Sequence, residues 1–110
     1  MNVDQARQLV LKEATSEDGM LVSARMSVMP DRESTLQLAA ALEAIFTAIQ
    51  DEATLDRRLA NALFSLSFHL QNEVGSWQRQ GSKLREELLS DELPQIYLII
   101  ESIFEDEELF

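Results

Sequence analysis

The chain contains no cysteine, which removes disulfides, thiolate metal sites and a cysteine nucleophile together. Three glycines and two prolines are too few for a turn-rich β-sandwich. No uninterrupted apolar run approaches the roughly 18 residues of a membrane span. The first twenty residues carry acids where a secretory leader would be apolar, so a cytoplasmic protein without a membrane anchor is expected. Basic residues are also scarce. Nine Lys and Arg face twenty Asp and Glu, and the formal net charge of −11 argues against binding nucleic acid or anionic lipid through non-specific electrostatics. What the chain does have is 110 residues, 45% of them hydrophobic. That suits one core and is too apolar for a disordered chain. A single helical domain over residues 1–110, ending in an acidic tail at 105–110, is the expected organisation.

Three segments nearly free of charge repeat their apolar residues with helical period. In residues 36–50, where Glu43 is the only charge, Leu38, Ala39, Leu42, Ile45, Phe46 and Ile49 share a broad face with Ala53. Glu43, Thr47 and Gln50 lie opposite. Ser34 and Gln37 have capping-box spacing, and Pro30 ends what precedes them. From Leu55 to Gln80, Leu55, Leu59, Ala62, Leu63, Leu66, Leu70, Val74 and Trp77 form one stripe, with Thr54 as a cap and Gly81 as a stop. From Leu93 onward, Leu93, Ile96, Tyr97, Ile99, Ile100, Ile103 and Phe104 share a face, with Pro94 suited to the first turn. Val3–Ala14, capped by Asn2, and Lys83–Ser90, capped by Ser82, read as shorter helices. Residues 19–29 fit a helix, and their alternation also fits a short strand at 20–28. The expected fold is all-α, a bundle of four to five helices. The short link around Thr54 predicts that the first two long helices pack as an antiparallel hairpin.

The acid is unevenly placed. Up to Arg85, eleven acids face nine bases; from Glu86 onward there are nine acids and no base. Glu105, Asp106, Glu107 and Glu108 crowd a helix C-terminus, where negative charge opposes the helix dipole. They are either a solvated tail or a docking surface. On the docking reading, Glu101, Glu105, Asp106, Glu107 and Glu108 frame the apolar Leu109 and Phe110 and meet a basic protein partner. An inhibitor or immunity-type protein, filling the basic cleft of a toxin or nuclease, is the narrower form of that expectation.

Chemistry-bearing constellations are sparse. His69 has Glu73 four residues on, and Glu43 or Glu101 could add carboxylates, so a His/carboxylate metal bundle is the enzyme-class alternative. It lacks a second His and the usual Glu-x-x-His motif. Ser65 and Ser67 near His69 do not make a triad, and the isolated glycines make no phosphate loop. No catalytic residue, metal ligand or cofactor is assigned. Glu86–Glu87 and Asp91–Glu92 read as solvated pairs, with Arg79, Lys83 and Arg85 pairing to Glu86, Glu87 or a neighbouring helix. Met20, Met26 and Met29 suit either an adaptable binding surface or a gap-filling core, and the core is the expected place. Phe64 and Phe68, opposite the main stripe and near Gly75, are candidates for a homodimer interface or for contact with the N-terminal helix.

Overall fold

A computed structural model describes residues 1–26, 28–50, 55–81 and 84–104, and it is all-α, with no strand among those residues. The N-terminal helix, α1 (Val3–Thr15), starts where expected. The Asn2 side chain accepts from the Gln5 amide at 2.8 Å, and Gln5 Oε1 accepts from the Asn2 amide at 3.3 Å. The ambiguous segment resolves as a short helix, α2 (Met20–Arg25), with Met20, Leu21 and Ala24 buried at helical spacing. Gly19 is required just before it. A Cβ there would stand 2.2 Å from the Lys12 carbonyl oxygen and 2.9 Å from that of Glu13, so only glycine lets α2 turn back this tightly on α1.

Helix α3 (Arg32–Ile49) begins earlier than the Ser34/Gln37 capping box implied. Asp31 is the cap, accepting from the Ser34 amide at 2.7 Å. Its buried residues include Thr35, Leu38, Ala39, Leu42 and Ile45, while Glu43, Thr47 and Gln50 face outward as the periodicity predicts. The next helix starts at Arg57, two residues later than expected, with Asp56 as its cap accepting from the amides of Arg58 and Leu59; Thr54, the expected cap, lies outside the described residues. Rather than one uniform helix, it comprises α4 (Arg57–Phe64), a π-helical turn at Ser65–His69, and α5 (Leu70–Arg79). The stripe Leu59, Ala62, Leu63, Leu66, Leu70, Val74 and Trp77 is buried along its whole length. Gly81, at φ 76°, then takes a left-handed conformation that favours glycine and stops the helix.

Ser82 and Lys83 lie outside the described residues, and the helical turn that follows begins at Glu86, running through a second π turn, Leu88–Glu92, into α6 (Leu93–Phe104). Pro94 therefore lies inside a continuous helical run and does not open one. The Leu93 amide reaches back five residues to the Leu88 carbonyl, and this wider turn accommodates a residue with no N–H to give.

The expected hairpin of α3 with α4–α5 is not what packs. Among the described residues α3 makes its main contacts with α1 and α6, while α4 rests on α1 and α5 on α2. Small buried residues on α1 and α3 (Ala6, Ala14, Ala39, Ala41) permit close helix approach, and Ala6 and Val10 are fully buried. The N-terminal helix is thus a core element, alongside the three segments the charge-free runs single out. No helix among the described residues is long and apolar enough to cross a membrane.

Candidate functional site

Three features could carry function: the outer flank of α6, an aromatic cluster on the first π turn, and a cleft at the end of α1. Helix α6 buries Leu93, Ile96, Ile100 and Ile103. On its outer side Leu98 is 63% exposed and Phe104 50% exposed, and Glu101 is exposed between them. At 100° per residue the three span an arc of about 120°. The placement of Phe104 corrects its assignment to the buried face; Tyr97 and Ile99 are half-buried. Burial also pushes the Tyr97 hydroxyl pKa upward, and that hydroxyl has no partner among the described residues. Residues Glu105, Asp106, Glu107, Glu108, Leu109 and Phe110 lie outside the described residues.

The inner end of the same helical run carries an ion pair that the sequence reading placed on the surface. Glu92 is buried, with its side chain 1% exposed. Arg85 grips it with two bonds, Nη1 to Oε2 at 3.0 Å and Nη2 to Oε1 at 2.8 Å, and its Nη2 also donates to the Pro30 carbonyl at 3.0 Å. The Thr35 hydroxyl donates to Oε1, and Arg32 stands 4.0 Å from Oε2. These bonds, Arg85 foremost, hold the Glu92 carboxyl below the ordinary glutamate range despite burial. The pairing of Arg85 is therefore with Glu92, not Glu86 or Glu87. Glu92 could have been found in the sequence, because it lies four residues from both Leu88 and Ile96, on their buried stripe.

Where α4 passes into the first π turn, Phe64 and Phe68 stack with ring centroids 5.4 Å apart and planes 10° apart. His69 sets its edge to both, at 6.1 Å from Phe64 and 5.4 Å from Phe68. Phe64 is 55% exposed and Phe68 51% exposed, so neither is buried against the N-terminal helix. Among the described residues, a Cβ added at Gly75 would meet only the Arg79 guanidinium outside its own helix backbone, at 3.3 Å. Among the described residues no three His, Asp or Glu side chains are arranged to hold a metal ion, so His69, Glu73, Glu43 and Glu101 are not brought together.

The cleft at the end of α1 was not anticipated. Leu9, Lys12 and Glu13 of α1, Asp18, Met20 and Ser23 around α2, the segment Val28–Asp31, and Ser34 and Gln37 of α3 line it. Glu13 is buried at 8% exposure, and burial raises its carboxyl pKa against the partial offset of Lys12 and the Met20 amide. Helical spacing carried the signal here as well, since Glu13 follows Ala6 and Val10 on one line. Of the three methionines expected in the core, only Met20 is buried; Met26 is 73% exposed and Met29 38% exposed. Compared with protein-family models, curated proteins and solved structures, the chain matches none.

Proposed function

We infer that this is a non-enzymatic cytoplasmic binding module that docks a basic protein partner through its acidic C-terminal helix. The observation that supports the reading is the outer flank of α6, where exposed Leu98 and Phe104 bracket Glu101 on a helix whose other side is core. The sequence continues that flank with Glu105, Asp106, Glu107, Glu108, Leu109 and Phe110, inside a stretch from Glu86 that contains no base. Apolar anchors supply affinity in such a surface, while the surrounding acid steers a cationic partner and repels acidic ones. A cationic toxin or nuclease cleft is one partner of this chemistry, which makes an inhibitory role the narrower form of the same proposal.

The test is affinity purification with the full chain at low and high salt, followed by one-to-one binding of the protein recovered. The expected result is salt-sensitive binding to a basic protein, lost both in the L98S/F104S variant and when Glu101, Glu105, Asp106, Glu107 and Glu108 become glutamine. Retention of the partner by both variants would overturn the assignment. Homodimerisation through Phe64 and Phe68 is a separate proposal, supported by their exposed stacked rings. Sedimentation of the F64S/F68S variant against the unaltered chain checks it.

A further inference from the structure

Two helix faces carry exposed apolar pairs, and the charges around them are opposite in sign. Along α4 and the first π turn, Arg57, Asn61, Phe64 and Phe68 follow one another at spacings of four, three and four, so they share one face, and all four are exposed. The stacked rings, with the edge of His69 set against both, form a platform whose geometry is in place before anything binds. Arg58 beside Arg57, and Arg79 farther along α5, are exposed as well. Residues 57–85 hold five of the nine bases and only one of the twenty acids, Glu73. The aromatic platform is therefore framed by positive charge in a chain whose total is −11. The outer flank of α6 is the reverse. Leu98 and Phe104, about 9 Å apart along the helix axis, bracket the exposed Glu101. From Glu86 onward the sequence holds nine acids and no base.

We propose that these two faces are each other's partners: the α6 flank of one copy docks on the Phe64/Phe68 platform of a second copy, head to tail. Leu98 and Phe104 cover the rings, and Glu101 is set toward Arg57 and Arg58. A net charge of −11 opposes any approach of two copies that is not locally complementary. Platform on platform sets arginine against arginine, and flank on flank sets acid against acid. Platform on flank alone joins opposite charges while removing both apolar pairs from water. The inference rests on the reading of both faces as docking surfaces, and it names what covers them. An α6 flank engaged in this way is withheld from a foreign basic partner. A head-to-tail contact also leaves one platform and one flank free at its ends, so association passes beyond the dimer unless a ring closes.

The experiment is analytical ultracentrifugation of the purified full chain, with no other protein present, from about 1 μM to 1 mM. The unaltered chain should associate as its concentration rises. L98S/F104S and F64S/F68S should each associate about tenfold more weakly or not at all. An equimolar mixture of the two should form a one-to-one complex, because each variant keeps the half that the other has lost. An unaltered chain that stays monomeric throughout overturns the proposal, and so does a mixture that forms no complex. Association retained by either variant alone also overturns it, and retention by L98S/F104S alone would reveal a symmetric contact of platform on platform. Should either serine variant fail to fold, R57E/R58E, altered only at exposed positions, decides. Self-association weakened several-fold supports the proposal, and unchanged association refutes it. Because only this chain is present, failure here leaves the docking of a foreign basic protein by α6 to its own test, and failure of that docking would leave this result standing.

Discussion

Glu92 is a charged group held at the junction of three segments, and its surroundings dictate what its loss of partners would do. Arg85 spans the carboxylate with two bonds and ties it to the Pro30 carbonyl, while Thr35 brings in α3. Removing Arg85 would leave a carboxylate that is 1% exposed, facing the Thr35 hydroxyl and a largely exposed Arg32 at 4.0 Å. Breaking a buried pair from one side costs about 3–5 kcal/mol, and Arg85, whose side chain is 34% exposed, belongs at the lower end of that range. R85M is therefore expected to lower unfolding free energy by about 3 kcal/mol in urea denaturation at neutral pH. The double variant R85M/E92M should recover most of the loss, because two apolar side chains leave no charge uncompensated. A double variant as unstable as R85M would mean that packing, not charge, is what Arg85 supplies.

Among the helices, α4–α5, interrupted by the first π turn, exposes Phe64 and Phe68 while burying its opposite stripe. Gly75 sits in α5, where a Cβ would meet only the flexible end of Arg79 at 3.3 Å. Glycine in a helix interior costs roughly 0.5–1 kcal/mol relative to alanine, so G75A should stabilise the protein by that amount in thermal or urea unfolding. Its sedimentation should not change. If G75A instead weakened self-association, Gly75 would be admitting another helix, as its spacing from Phe64 and Phe68 first suggested. Helical periodicity made the stripes of α3, α4–α5 and α6 legible, because period depends only on which face is buried. It could not reveal what covers each face, which is why α1, between α3 and α4, displaced the expected hairpin. Asp31 and Ser34 are both competent caps, and only the backbone path chose Asp31. The exposed flank of α6 was half legible: Glu101 was identified, whereas Phe104 was given to the core. Glu13 and Glu92 were hidden by their type, since an acid is read as solvated unless its place on an apolar stripe is weighed.

Across the whole molecule these two buried acids act in opposite directions on pH. Glu92 has a folded pKa below the ordinary glutamate value, chiefly through Arg85, with Thr35 and Arg32 adding to it. Its contribution is complete above that ordinary value, about 4.3, and is lost as pH falls through the folded pKa. Asp31, lowered by the Ser34 amide, follows the same sign. Glu13 has a raised pKa, because burial outweighs Lys12 and the Met20 amide, with Asp18 and Asp31 adding to the rise. Its stabilising contribution is complete below about 4.3 and disappears as pH rises through the folded value. At neutral pH Glu13 is therefore a cost, and a net charge of −11 adds general self-repulsion. On acidification from pH about 7, the thermal midpoint should first rise as Glu13 takes up a proton and repulsion falls, then drop below pH about 4 as Glu92 and Asp31 are neutralised. Circular dichroism melts across this range check the shape. E13Q should raise the midpoint at neutral pH and shrink the initial rise, and high salt should remove the part due to repulsion. A midpoint that declines steadily from neutrality in the unaltered chain, with E13Q no more stable at pH about 7, would show that burial does not make the ionised Glu13 carboxylate a cost to the fold.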